Sequence, residues 1–363
     1  MNIADKALLK TRAYIDGQWV DADSGDTLPV LNPANGETIA EIAKCGTAET
    51  RRAIEAADRA LTSWCQKTVK ERAAVLRKWF DLMMEAQEDL AQILTAEQGK
   101  PLAEARGEVA YGASYIEWFA EEAKRIYGDT LPSPSGDKRV VVIKQPVGVV
   151  ACITPWNFPN AMLTRKIAPA RAAGCTVVCK PANETPLSAL AFVELAERAG
   201  VPAGVINVLG GITREIGAEL TGNPTVRKLT FTGSTQVGKL LMEQCAGTVK
   251  RTSMELGGNA PFIVFDDADI DEAIKGAMIC KFRNAGQTCV CANRILVQEG
   301  IYEEFAEKLM EATAGLKLGV GTDATVTVGP LINEGAANDV LAFIDDAVAN
   351  GCLLYTSPSP RDL

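Results

Sequence analysis

With 363 residues, 47% of them hydrophobic and 6% aromatic, the chain is long enough for two globular domains with filled cores. A net charge of −9 argues against a nucleic-acid partner, because polyanions are bound by concentrated basic faces. No run approaches the ~20 apolar residues of a membrane span, and Met1–Lys10 has no apolar secretion core. With ten scattered cysteines that suit a reducing compartment, these features predict a cytoplasmic protein without a membrane partner.

Residues 14–42 read as short strands broken by the turn dipeptides Asp16-Gly17 and Asn35-Gly36 and by Pro29 and Pro33, which predicts a small hairpin layer. From Thr47 to Tyr127 apolar residues such as Leu76, Trp79, Met83, Leu90 and Leu94 recur at helical steps, and Gly99 and Pro101 punctuate the stretch. These stripes are core and carry no functional information. Leu131–Gly136 is a Pro/Ser/Gly turn leading into an exposed or edge strand over 139–144. Strand-like runs at 147–153, 176–179, 205–209 and 228–231 then alternate with helical stretches at 160–173, 186–199, 213–221 and 235–246. That alternation predicts a parallel sheet with helices on both faces, and ligands beyond the carboxyl ends of its strands. A further unit from Glu255 onward reads as a strand at 262–265, a helix at 269–282, a loop at 283–288, a strand near 295–297 and a helix at 302–316, with a domain boundary near Leu256-Gly257-Gly258.

The chain has no histidine, so Ser-His-Asp and Cys-His catalysis and His-ligated metals are excluded, and acid–base work falls to carboxylate, thiol, lysine or tyrosine. It has no Cys-x-x-Cys pair either, and no metal site is expected. Cys289 lies in the Gly/Asn/Thr-rich loop Asn284–Cys291, exposed enough to attack a substrate as a thiolate; an inert cysteine or a redox pair with Cys291 is the other reading. Glu255, alone among apolar and glycine residues, is expected to be partly desolvated and able to act as a base, or else to be a structural ion-pair residue. Asn157 follows the first sheet strand in a loop fixed by prolines, where its amide could donate to an oxyanion. Gly233 and Ser234 stand between a strand and a helix, where backbone N–H groups face any phosphate, although a plain turn has the same signature. Lys180 ends a strand, as a ribose or phosphate ligand or a solvated strand end. Asn183, three residues on, has no charge to repel a 2′-phosphate and favours NADP over NAD.

Taken in order and spacing, Pro155-Trp156-Asn157-Phe158-Pro159, Phe231-Thr232-Gly233-Ser234, Glu255-Leu256-Gly257-Gly258-Asn259 and Gly286-Gln287-Thr288-Cys289 resemble the aldehyde dehydrogenase superfamily, from about Tyr14 to about Ala349. The segment Lys281–Arg294 is most similar to bacterial succinate-semialdehyde dehydrogenases. The resemblance implies a Rossmann-type α/β cofactor domain plus a second α/β catalytic domain, with Cys289 as nucleophile, Glu255 as base and Asn157 as oxyanion donor. It also implies dinucleotide contacts, NADP with NAD as the alternative, from Trp156, Asn157, Lys180, Pro181, Ala182, Asn183, Gly233, Ser234 and Leu256. Arg165 and Arg283 would clamp the remote carboxylate of a short semialdehyde. Succinate semialdehyde is the expected substrate, with glutarate semialdehyde or a neutral aldehyde as alternatives.

The implied domains are 1–254 for the dinucleotide, with an oligomerisation arm at 130–146, and 255–352 for catalysis. The arm implies a homo-oligomer, a dimer of dimers. Spacing alone suggests a reversible disulfide between Cys289 and Cys291 under oxidation. Family chains continue well past Gly351-Cys352, whereas residues 353–363 resemble neither the family nor a buried element. The expectation is a catalytic domain lacking its C-terminal part, followed by a foreign, disordered tail, with uncovered apolar faces. An inactive fragment that keeps only dinucleotide binding is the competing expectation.

Overall fold

The computed structural model describes residues 1–352 and residue 354, so the reading of 353–363 as a disordered tail lies almost wholly outside the described residues. Two compact units emerge, the larger from residues 1–31, 38–97 and 105–257, the smaller from 32–37, 98–104 and 258 onward. The short pieces 32–37 and 98–104 belong to the second unit although nothing local in their sequence marks them.

In chain order the larger unit holds strands β1 (Ala13–Ile15), β2 (Gln18–Val20), β3 (Thr27–Leu31) and β4 (Thr38–Ala43), then helices α1 (Thr47–Gln66), α2 (Val69–Glu85), α3 (Gln87–Gln98) and α4 (Leu102–Glu122). A hairpin of β5 (Asp129–Leu131) and β6 (Val140–Val142) precedes the alternating part: β7 (Val149–Ile153), α5 (Pro159–Ala172), β8 (Thr176–Lys180), α6 (Pro186–Ala199), β9 (Ile206–Val208), α7 (Thr213–Gly222), β10 (Val226–Thr232), α8 (Thr235–Ala246) and β11 (Arg251–Glu255). The main sheet runs β11-β10-β7-β8-β9-β1-β2, parallel from β11 through β9. Every residue of β8 and nearly every residue of β7 is buried, as expected for parallel strands covered on both faces.

One prediction is corrected here. Residues 14–20 do not form a separate hairpin layer with 27–43. The β1–β2 hairpin, closed by the left-handed pair Asp16 and Gly17 (φ 53° and 76°), joins the main sheet through Tyr14 opposite Val208, and of the four strands in this stretch β3 and β4 alone pair apart from it. The Asp16 N–H donates to Asn207 Oδ1 at 2.9 Å, which gives the incoming hairpin a polar anchor that hydrophobic alternation does not encode.

The helices dock as their stripes predict. Trp79 on α2 is fully buried against Phe192 of α6, with ring centroids 4.2 Å apart and its indole N–H donating to the Phe192 carbonyl at 3.1 Å. Its loss would cost about 3–5 kcal/mol. The Trp64 indole likewise donates to the Arg171 carbonyl at 3.2 Å. By contrast, β5–β6 buries nothing: Val140, Val141, Val142 and Ile143 are all exposed.

The smaller unit pairs β12 (Ala260–Val264) in parallel with β13 (Ala292–Val297) and adds α9 (Ile270–Phe282), α10 (Tyr302–Ala314) and α11 (Glu334–Ala349). Its core centres on Val264, Ile274, Ala277 and Phe305. Ile263, Phe265, Ile279, Leu296, Met310 and Phe343 stay exposed. Helix α11 is absent from the sequence reading, although Asn333 caps it and Val340, Ile344 and Ala347 keep helical spacing.

Candidate active site

Strand order reverses about β7 in the larger unit, because β8 and β9 extend one way and β10 and β11 the other. A crevice therefore opens beyond the carboxyl ends of β7 and β10. Register sets the level of that edge: Ile153 pairs with Lys180 and with Phe231, and Thr232 pairs with Glu255. Strands stand about 4.8 Å apart, so Lys180 and Glu255, three strands apart, are separated by roughly 14 Å along one rim. The loops leaving that rim carry Trp156 and Asn157 after β7, Pro181–Asn183 after β8, Gly233–Ser234 after β10 and Leu256 after β11.

Each loop has its own geometry. Trp156 and Asn157 are half-buried between buried Thr154 and Phe158, and Pro159 opens α5. Lys180 is buried, and its ammonium donates to the Pro181 carbonyl at 3.0 Å and to Asn183 Oδ1 at 3.3 Å. An ammonium has three donors, so one is left for an incoming acceptor. Burial pushes Lys180 down to about 8, with Glu184 opposing.

The Asn183 amide is engaged locally. Its Nδ2 donates to the Gly211 carbonyl at 2.8 Å and its Oδ1 accepts from Gly211 N at 3.2 Å, so it holds the 210–211 turn and orients Lys180. Pro181 is buried and Ala182 half-buried. Gly233 needs no left-handed backbone; a Cβ there would lie 2.4 Å from Cζ of Phe231. Ser234 caps α8 by accepting from Val237 N at 3.4 Å, and it stays exposed with Thr235 and Gln236 in the first turn. Leu256 presses on α8 where a Cβ at Gly238 would come within 2.6 Å. One free ammonium donor and an open helix N-terminus on the same rim fit a ribose- and phosphate-bearing ligand.

Glu255 departs from expectation. It ends the edge strand β11, whose alternation leaves it exposed, so apolar neighbours in sequence do not desolvate it. Arg165 on α5 is half-buried, with its guanidinium carbon 5.3 Å from the Tyr115 ring and Nη1 3.7 Å from Met162 Sδ, and it makes no ion pair among the described residues. Burial and the bond with Tyr111 push the Tyr115 hydroxyl up to about 12; Arg165 pulls it down and Glu255 pushes it further up, so both charges reach one hydroxyl. Beside Arg165, buried Lys166 donates to Thr230 Oγ1 at 3.1 Å, and burial brings it down to about 8. A cavity of about 360 Å³ is lined by Arg165, Lys166, Lys228, Thr230 and Ser253. Lys166, Lys228 and Tyr115 were not singled out by sequence; charged or hydroxyl residues inside apolar-patterned elements are the signal that could have found them.

In the smaller unit, Cys289 is half-buried behind a backbone that turns left-handed at Asn284, Ala285 and Gly286 (φ 54°, 56° and 75°). Such conformations cost of order 1 kcal/mol or more at non-glycine residues. The surroundings over-determine them. Buried Asn284 donates from its backbone to Glu104 Oε2 at 2.9 Å and accepts from Gln98 Nε2 at 2.9 Å, while its Nδ2 donates to the Gln287 carbonyl at 3.3 Å. Gln287 returns a bond to the Asn284 carbonyl at 3.0 Å and accepts from Ile332 N at 3.0 Å.

The turn so fixed ends at Gln287, two residues before Cys289. Arg283 is exposed at its start. Cys291 is buried, with its thiol 3.6 Å from the Lys281 and Ala292 carbonyls. Cys280, which the sequence reading passed over, accepts from Ala292 N at 3.3 Å and so lies against the backbone flanking Cys291. All ten cysteines are free thiols.

The profile of the aldehyde dehydrogenase family matches residues 19–361. A glutarate-semialdehyde dehydrogenase of Pseudomonas putida is 63% identical over 97% of this chain and 73% of its own length. The NADP-dependent succinate-semialdehyde dehydrogenase GabD of Escherichia coli is 61% identical over 97% and 73%. The crystal structure of a succinate-semialdehyde dehydrogenase from Burkholderia pseudomallei superposes with a TM-score of 0.96 at 59% identity, covering 98% of this chain and 74% of that one.

Proposed function

Because the chain belongs to the aldehyde dehydrogenase family, we propose that it oxidises succinate semialdehyde to succinate with NADP as the hydride acceptor. The observation that carries the substrate is Arg165, a half-buried guanidinium with no ion pair among the described residues, on a helix that starts at the sheet's carboxyl rim. A guanidinium so placed still has N–H donors that a ligand can complete. A remote carboxylate does so, and Arg283 supplies the second arm of the clamp. Glutarate semialdehyde is the second reading, favoured by the equally similar Pseudomonas putida relative.

In the proposed reaction the Cys289 thiolate adds to the aldehyde carbon. Asn157 and the Cys289 backbone N–H donate to the resulting oxyanion. A bound dinucleotide would supply the hydride acceptor that turning the Cys289 adduct into a thioester requires. Glu255 then takes a proton from water, the hydroxide attacks the thioester carbon, and the acid departs as the thiolate is restored. Exposure of Glu255 suits this role, because a base that must meet water and release its proton needs solvent access.

The larger unit supports the dinucleotide through Trp156, Asn157, Lys180, Pro181, Ala182, Asn183, Gly233, Ser234 and Leu256. Preference for NADP rests on the uncharged Asn183, with NAD as the alternative. The exposed β5–β6 hairpin is the proposed arm of a homotetramer, and the cytoplasm the proposed location. Cys291 is proposed to cap oxidised Cys289 reversibly.

Mixing the chain with succinate semialdehyde and NADP, and following the absorbance of reduced dinucleotide, tests the proposal. Turnover at a kcat/KM well above that for butanal supports it. Dinucleotide binding without reduction, or equal constants for the two aldehydes, refutes it.

A further inference from the structure

Helices α5 and α6 begin alike. Each follows a loop from the sheet's carboxyl rim, each has Pro at its first position, and neither N-cap residue, Phe158 or Thr185, supplies a side-chain cap. The second- and third-residue N–H groups of a helix then need partners, the more so when buried.

In both helices the partner is a buried carboxylate brought from far away in the chain. Glu97, at the end of α3 and fully buried, accepts from Leu187 N at 2.7 Å on one oxygen and from Ser188 N at 2.8 Å on the other. Glu108, on α4 and 1% exposed, accepts from Asn160 N at 2.9 Å and Ala161 N at 3.3 Å. A carboxylate at the positive end of a helix has the favourable sign. Burial pushes the Glu97 carboxyl up to about 8, and the bonds it accepts from Ser188 and Leu187 oppose that rise.

We propose that Glu97 and Glu108 are a matched pair of positioning residues, Glu97 for the dinucleotide loop after β8 and Glu108 for the oxyanion loop after β7. The inference rests on the roles proposed above for Lys180, Asn183 and Asn157. The near end of each loop is set by the sheet: Thr154 N donates to the Lys180 carbonyl at 3.2 Å, which ties the two strand exits together. The far end of each is set by its glutamate. Asn183 and Asn157 stand a few residues before the pinned amides, so a loosened helix start moves them directly.

The division of labour is what separates positioning from general stability. Glu97→Gln keeps the shape but turns one acceptor into a donor facing an N–H group. It should weaken NADP binding, measured by calorimetric titration of the full chain, about tenfold. Amide hydrogen exchange should rise at 181–188 and not at 156–161. Glu108→Gln should show the opposite exchange pattern, weaken NADP binding clearly less than Glu97→Gln does, since of the proposed dinucleotide contacts only Trp156 and Asn157 lie in its loop, and lower kcat at saturating NADP about tenfold or more.

Thr185→Asp added to Glu97→Gln offers the same amides a local cap and should restore binding. If Glu97→Gln does not fold, Glu97→Asp, which withdraws the charge by one methylene, should give an intermediate loss. Equal effects of the two glutamates on binding, or loosened exchange at 181–188 with an unchanged dissociation constant, would overturn the proposal. Failure of the parental chain to bind NADP at all would instead remove the functional reading beneath it.

Discussion

Replacing Arg165 by Met tests substrate recognition without breaking an internal ion pair, since the guanidinium makes none among the described residues and lies over the Tyr115 ring and near Met162 Sδ. A hydrogen bond from a guanidinium to a carboxylate contributes about 1.5–3 kcal/mol. At about 1.4 kcal/mol per decade, kcat/KM for succinate semialdehyde should fall about 10- to 150-fold. The cation–π contact with Tyr115 is worth about 0.5–1 kcal/mol, and removing a half-buried charge offsets part of that. The melting temperature should therefore move by no more than about 3 °C. Butanal has no carboxylate, so its kcat/KM should stay within about twofold. The assay is reduced-dinucleotide absorbance with each aldehyde over a concentration series. A fall of equal size for both aldehydes would refute the clamp, because it would report a misplaced helix α5 rather than a lost carboxylate contact.

Lys180, held near 8 by burial, should make NADP affinity fall as pH rises through about 8, a dependence that Lys180→Met abolishes in calorimetric titration. Stability should move the other way: the unfolded ammonium, near 10.5, binds more protons than the folded one between about 8 and 10.5, so denaturant midpoints rise over that window less in Lys180→Met than in the parent. Gly286→Ala forces a Cβ onto a residue at φ 75° and to 3.1 Å from the Lys281 carbonyl; it should cost about 1–2 kcal/mol in chemical denaturation, and no loss would contradict the strained turn. Peroxide inactivation should be reversed by dithiothreitol in the parent and in Cys280→Ser but not in Cys291→Ala, and full reversal in Cys291→Ala would exclude the Cys289–Cys291 bridge.

Much of the larger unit was legible because its signals are local. Alternating β-branched runs and helical stripes located β7 through α8 to within a few residues, and the rim positions of Asn157, Lys180 and Ser234 followed from strand ends. What was not legible depends on distant pairing. The β1–β2 hairpin joined the main sheet because β9 offered an edge and Asn207 a hydrogen-bond acceptor, neither visible within residues 13–20. Glu255 read as desolvated from its neighbours, yet edge-strand alternation exposes it. Glu97 and Glu108 look like solvated charges on amphipathic helices until their amide partners, some 50 to 90 residues on, are known. The cysteine loop was found by composition, but its left-handed turn rests on Gln98 and Glu104, which no local pattern links to Asn284.

The central claim is that Cys289 carries the acyl group, and a Glu255→Gln variant should let that species accumulate. Rapid acid quenching after mixing this variant with succinate semialdehyde and NADP, followed by peptide mass spectrometry, should find one succinyl group on the peptide containing Cys289 and one reduced dinucleotide per modified chain. A succinyl group on any other residue, or reduced dinucleotide formed at the parental rate with Cys289 unmodified and replaceable by Ser, would contradict the account.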